Sequence, residues 1–120
     1  MKNILIIEDA LAVRKILEAV LGKEHQVHSS ENGSTAMEWL QEGNLPDLII
    51  CDLQMPVMSG EDFIKEIKAS GYFNKIPIIV LSGIESSSER IKMLKMGAND
   101  FLVKPFNPEE LKLKVDLLIH

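Results

Sequence analysis

Glu8, Asp9, Asp52, Ser82 and Lys104 stand at the C-terminal ends of short apolar runs. If those runs are parallel strands, one sheet edge gathers three carboxylates, a hydroxyl and an ammonium, where open α/β sheets bind ligands. Three anionic groups converging there repel one another unless a cation or a proton joins them. Carboxylate oxygens are hard ligands, and an incomplete protein shell with room for water and phosphate oxygens suits Mg2+. Asp52 is the candidate nucleophile, since an aspartate can form an acyl phosphate. Phosphoryl transfer asks mainly for positioning and charge stabilisation; Lys104 offers a point charge and Ser82 a donor for the phosphoryl oxygens. Taken singly, each residue has a plainer role: an acid at a strand end caps a helix, a serine closes a turn, Lys-Pro is a solvated loop. Their joint placement favours the chemistry.

The elements that must position these residues alternate along the whole chain. Ile4 to Ile7 reads as a strand, followed by Val13, Ile16, Leu17, Val20 and Leu21 at helical spacing and closed by Gly22. Gln26 to Ser29 is a weak second strand, and Ala36, Met37 and Leu40 mark a helix ending near Gly43. Leu48 to Cys51 is a third strand, and the helix after it turns Phe63, Ile64 and Ile67 inward, with Gly71 beyond its end. The fourth strand, Ile78 to Leu81, is apolar at consecutive positions, as in a strand covered on both faces. Ser86 and Glu89 have capping-box spacing for a helix running to Gly97. Phe101 to Val103 is the fifth strand, and Asn107 caps the last helix ahead of Pro108, Glu109 and Glu110. Strand-helix units with short connections imply a parallel sheet with helices on both faces and right-handed crossovers.

A chain of 120 residues, 46% hydrophobic, suits one domain (1–120) with its own core and leaves no room for a second catalytic domain. The single cysteine, Cys51, lies inside an apolar run, so neither a disulfide framework nor a cysteine zinc site is available, and it reads as a small buried hydrophobe. The N-terminus lacks a signal-peptide h-region and no run approaches membrane-spanning length, which makes a reducing cytoplasm the expected setting. The formal charge of -5, without a dense basic block, argues against direct nucleic acid binding and leaves protein partners and cations.

These residues resemble the receiver domain of two-component response regulators. The resemblance rests on Glu8-Asp9, on Asp52 followed by Met55-Pro56-Val57-Met58-Ser59-Gly60, on Ser82-Gly83, and on Gly97-Ala98-Asn99-Asp100-Phe101 leading to Lys104-Pro105-Phe106. It implies a flavodoxin-like, doubly wound five-stranded parallel sheet of order 2-1-3-4-5 with five helices, the order of a receiver protein that is itself a standard example of this fold. It implies that Asp52 accepts a phosphoryl group from a sensor histidine kinase or a histidine phosphotransfer protein. Glu8, Asp9 and Asp52 would bind Mg2+ with the backbone carbonyl of Gln54, and Lys104-Pro105 would be cis. Ser82 would move toward the phosphate, Phe101 would swing inward behind it, and the fourth helix, fifth strand and fifth helix would form the output face for an unknown partner.

Several positions carry expectations of their own. Phe101 lacks the phenol that some relatives carry; packing is its other role, and one ring can serve both in different states. Gln54 and Ile84 occupy positions that influence phosphoryl lifetime in such domains, and a bulky apolar Ile84 predicts slow spontaneous dephosphorylation. On the last helix Leu111, Val115 and Leu118 form the inward stripe, while Leu113 and Leu117 lie opposite, as a dimer or target patch or as scattered surface apolarity. A homodimer linked to phosphorylation is one use of that pair. Trp39, beside inward Leu40, is expected half-buried, and His25 and His28 are read as loop or strand-edge residues without a ligand set.

The leading function is therefore a phosphorylatable signalling switch that catalyses its own phosphotransfer and slow hydrolysis but processes no metabolite. A Mg2+-dependent aspartyl-phosphate phosphatase is the rival, weakened because the general acid expected two residues after the nucleophile is Gln54. A nucleotide or flavin module lacks its glycine loop, since the first strand-helix turn reads Glu8-Asp9-Ala10-Leu11. A phosphorylation-independent, receiver-like interaction module is the remaining alternative.

Overall fold

The computed structural model describes residues 1–83 and 86–119. Ile84, and with it the expectation about dephosphorylation, lies outside them. The elements run β1 (Asn3–Ile7), α1 (Leu11–Leu21), β2 (Gln26–Ser30), α2 (Gly33–Gln41), β3 (Leu48–Asp52), α3 (Gly60–Ala69), β4 (Ile78–Ser82), α4 (Ser87–Lys95), β5 (Asp100–Val103) and α5 (Pro108–Leu118). All strand pairs are parallel, in the order β2-β1-β3-β4-β5.

The apolar runs follow from burial on both faces. Alternate residues of a strand point to opposite sides, so a sheet covered twice needs an apolar residue at every position. Leu5, Ile7, Ile49, Cys51, Ile78, Val80 and Phe101 meet Ala36, Leu40, Phe63, Ile64, Ile67 and Met93 on one side. Their neighbours Ile4, Ile6, Leu48, Ile50, Ile79, Leu81 and Leu102 meet Leu17, Leu21, Leu111 and Val115 on the other. Helices α2, α3 and α4 thus cover one face, and α1 and α5 the other. Each fully buried Leu or Ile contributes roughly 1.5–3 kcal/mol of transfer free energy, so the two layers supply the main driving force.

Helix starts follow local side-chain chemistry. The side chains of Asn32, Ser59, Ser86 and Asn107 accept from backbone N–H groups in the first turns of α2, α3, α4 and α5. Ala10, the residue before α1, has no side chain to do this; instead Glu8 Oε2 accepts from the Ala10 N–H at 3.2 Å. The pocket acid therefore also serves the first turn of α1.

Every strand is one residue longer than its sequence reading, β1 and β5 beginning at Asn3 and Asp100 and β2 ending at Ser30, and two of these boundaries bear on the site. Asp52 and Ser82 do not follow their strands but are the last paired residues of β3 and β4, opposite Leu81 and Val103. The apolar run stops at a polar side chain, but ladder pairing is a backbone property and continues one residue further. Ile16, counted with the inward stripe of α1, is 49% exposed, whereas Leu17 and Leu21 are buried. The core-facing side of α1 is centred on those leucines and leaves Ile16 on its flank. Trp39 is half-buried as expected, and its indole stacks on the His28 imidazole at the β2 edge with ring centroids 4.2 Å apart.

Candidate functional site

The strand order reverses between β1 and β3, which is where a doubly wound sheet opens its crevice. Ile7 pairs with Cys51, so the next residues, Glu8 and Asp52, emerge side by side. Asp9 follows Glu8 at a bend, and one carboxylate oxygen from each of Glu8, Asp9 and Asp52 lies within 4.8 Å of the others. Glu8 is 0% exposed and Asp52 3%, while Asp9 is open to solvent.

Lys104 arrives from the end of β5, its backbone N–H bonded to the Ser82 carbonyl at 2.8 Å. Its ammonium is 2.7 Å from Glu8 Oε1 and 3.2 Å from Asp52 Oδ1. The Lys104-Pro105 peptide is cis, as the resemblance implied. Glu8 Oε1 is buried and accepts no well-aligned hydrogen bond among the described residues, so its meeting with Lys104 is a charge contact that leaves lone-pair capacity.

One ammonium between two buried carboxylates leaves one negative charge uncompensated. Burial is the main cause that raises the Glu8 pKa from 4.5 to about 7; Lys104 opposes the shift and Asp52 adds to it. Burial acts to lower the pKa of Lys104, but its contacts with Glu8 and Asp52 outweigh that and raise it. Both shifts describe a pocket that prefers a lysinium, one carboxylate and one proton. A divalent cation balances the same surplus, and the all-oxygen donor set fits Mg2+ or Mn2+.

The β3–α3 connection is shaped by contact with Asp52. The Gln54 N–H donates to Asp52 Oδ1 at 3.3 Å, and the Gly60 N–H donates to the Leu53 carbonyl at 3.0 Å. A Cβ at Gly60 would stand 2.2 Å from the Asp52 carbonyl oxygen, so only glycine lets α3 start this close. Val57, in the same loop, has φ +72° and is 83% exposed.

The fold brings Glu8, Asp9, Asp52 and Lys104 to one pocket and ends β4 with a buried Ser82 beside it. Gln54 is exposed and meets Asp52 through its N–H. Phe101 is 5% exposed, turned into the core on β5. Leu113 and Leu117 are 61% and 68% exposed, away from buried Leu111 and Val115. Two cations have roles that no local motif signals. Arg14 Nη1 donates to the Glu8 carbonyl at 2.8 Å, holding the β1–α1 turn. Arg90 of α4 lies 5.9 Å from the centroid of the Phe101 ring, over its face. Both contacts join segments whose relation only the tertiary structure sets.

Fold and pocket together define a flavodoxin-like α/β domain with an acidic, lysine-bridged crevice at its switch point. Residues 4–116 match the family model of the response regulator receiver domain. Among curated relatives, chemotaxis protein CheY1 of Helicobacter pylori strain J99 is 33% identical over 119 residues, covering 98% of this chain and 96% of that protein. The sensor histidine kinase TmoS of Ectopseudomonas mendocina is 37% identical over 98% of this chain, which spans only 12% of that kinase. A solved receiver domain of a Pseudomonas aeruginosa sensor histidine kinase superposes with a TM-score of 0.88 at 30% identity, over 98% of this chain and 97% of that one; it carries a magnesium ion coordinated in its active-site cleft. The chain belongs to the response regulator receiver domain family, the phosphorylation-dependent switches of two-component signalling. Among the described residues no helix is long and apolar enough to cross a membrane.

Proposed function

We propose that Asp52 is the phosphoacceptor of this switch, taking its phosphoryl group from a phosphohistidine on a sensor kinase or phosphotransfer protein in the cytoplasm. The observation that carries the reading is the lysine bridge: one ammonium within 3.2 Å of Asp52 and 2.7 Å of Glu8. An Asp52 carboxylate oxygen attacks phosphorus, the phosphorus–nitrogen bond breaks, and the histidine leaves with the electron pair and takes a proton from solvent. Glu8, Asp9, Asp52 and the Gln54 carbonyl are the proposed Mg2+ ligands. The bound ion supplies positive charge to the phosphoryl oxygens during transfer. Lys104 follows the transferred charge, exchanging a carboxylate oxygen for a phosphoryl oxygen, and the Ser82 hydroxyl donates to another.

The proposed readout face is α4, β5 and α5, a reading supported by Arg90 over the Phe101 ring and by Lys114, which ties α5 to the Asp100 carboxylate at 3.0 Å and the Phe101 carbonyl at 3.1 Å. An output protein or a second copy docking there would meet Leu113 and Leu117. Turnover as a phosphatase needs an acid where the exposed Gln54 stands, so self-catalysed transfer and slow hydrolysis is the favoured chemistry. Incubation with a small phosphodonor and Mg2+, followed by intact mass, tests the assignment. The parent gains one phosphoryl adduct and Asp52→Asn gains none; an adduct retained by the variant displaces Asp52, and an unmodified parent favours a phosphorylation-independent module.

A further inference from the structure

We propose that Glu24, His25 and Asp116 form a second cation site, suited to a divalent transition metal such as Zn2+, that joins α5 to the turn between α1 and β2. One ligand atom from each of the three lies within 4.8 Å of the other two. The cluster is independent of the acidic pocket: His25 precedes β2, whereas Glu8 and Asp52 stand at C-terminal strand ends.

An unpaired histidine nitrogen is the second observation. His25 is partly buried, its Nδ1 atom is withdrawn from solvent and has no hydrogen-bond partner among the described residues, and the residue borders a small depression of about 10 Å³ shared with Glu24, Asp116 and Lys112. A buried polar atom without a partner costs roughly 1–3 kcal/mol, and neither tautomer removes that cost, because the nitrogen is then a bare acceptor or a bare donor. A metal bond to the lone pair removes it. The depression is about the size of a single water and accommodates one ion.

Local architecture favours positive charge there. The His25 N–H is bonded to the Leu21 carbonyl at 3.0 Å, so the imidazole is carried on a fixed turn at the C-terminal end of α1. Asp116 lies in the last turn of α5. Two helix C-termini, each the negative end of its dipole, therefore meet at the cluster. Lys112 brings one opposing charge, which the two carboxylates exceed. Tetrahedral ligands about 2.1 Å from zinc are about 3.4 Å apart, so from separations within 4.8 Å the side chains close by at most about 1.4 Å, which the exposed Glu24 and Asp116 can do by rotation. An imidazole with two carboxylates selects a transition metal over Mg2+, while the all-oxygen pocket has the reverse bias.

The test is Zn2+ titration by calorimetry at about pH 7.5, where imidazole is largely neutral, in excess Mg2+ to fill the acidic pocket. The parent and Asp52→Asn are expected to bind one equivalent alike, with the His25 imidazole resonances shifting on addition. His25→Ala and the exposed substitution Asp116→Asn, each confirmed folded by circular dichroism, are expected to weaken binding by about 100-fold or more. Equal affinity in parent and His25→Ala overturns the site, as does loss of binding in Asp52→Asn or no binding by the parent at tens of micromolar Zn2+.

Discussion

Replacing Glu8 by glutamine isolates the charge surplus of the pocket. The carboxyl is fully buried, and its pKa rises from 4.5 to about 7 on folding. Between those values the folded chain holds a proton that the unfolded chain has released, so stability falls as pH rises through the interval and levels off above it. At about 1.4 kcal/mol per pH unit, the span from 4.5 to about 7 amounts to roughly 3 kcal/mol. Glutamine keeps the shape, carries no charge and leaves Lys104 with Asp52 at 3.2 Å, so little of the gain is returned through a stranded ammonium. We expect Glu8→Gln in chelator to be about 1–3 kcal/mol more stable than the parent near pH 8, and the two to converge toward pH 4.5. Urea unfolding at a series of pH values reads this directly, and the parent-minus-variant difference cancels every group that both share. In saturating Mg2+ the parent's pH slope shrinks. Parallel stability curves for the two proteins in chelator would refute the reasoning.

Gly60→Ala places a Cβ 2.2 Å from the Asp52 carbonyl oxygen, with an expected loss of about 1–3 kcal/mol and slower phosphorylation of Asp52; parent-like stability and rate together would show that the loop yields freely. Val57→Gly relieves a left-handed β-branched residue worth about 1–2 kcal/mol but loosens the unfolded chain, for a net gain of about 1 kcal/mol in urea unfolding; a lower midpoint counts against strain at φ +72°. Leu113→Glu, at a residue 61% exposed, should leave stability within about 0.5 kcal/mol and reduce any phosphorylation-linked self-association in sedimentation. Mass distributions identical to the parent in both states would remove the dimer reading.

The sheet was legible because β1, β3 and β4 are buried on both faces, so Ile4 to Ile7, Leu48 to Cys51 and Ile78 to Leu81 announce themselves as unbroken apolar runs. β2 was faint because it lies at an edge, with Val27 its one aliphatic residue. The acidic pocket was legible for a related reason: polar residues interrupting apolar runs at one end of a parallel sheet have to converge. Which acid holds the proton was not legible. Glu8 and Asp9 are neighbours of like charge, and only the tertiary packing makes one buried and the other open. His25 shows no ligand set in the sequence because Asp116, which the fold brings near it, comes from α5, at the far end of the chain. Arg14 and Arg90 were missed likewise, since a cation on a helix becomes informative only when the carbonyl or ring it faces is known.

The stacking of Trp39 on His28 bears on how this switch can be watched. The protein has one tryptophan, and the grooves on either side of it are bordered by Asn3, Gln26 and Leu45 or by Thr35, Glu38 and Glu42, not by Asp52. Its emission therefore reports the seating of α2 on the sheet edge. An optical titration that is silent on adding metal or phosphodonor carries no information about the acceptor, and a signal from the crevice needs an indole introduced there.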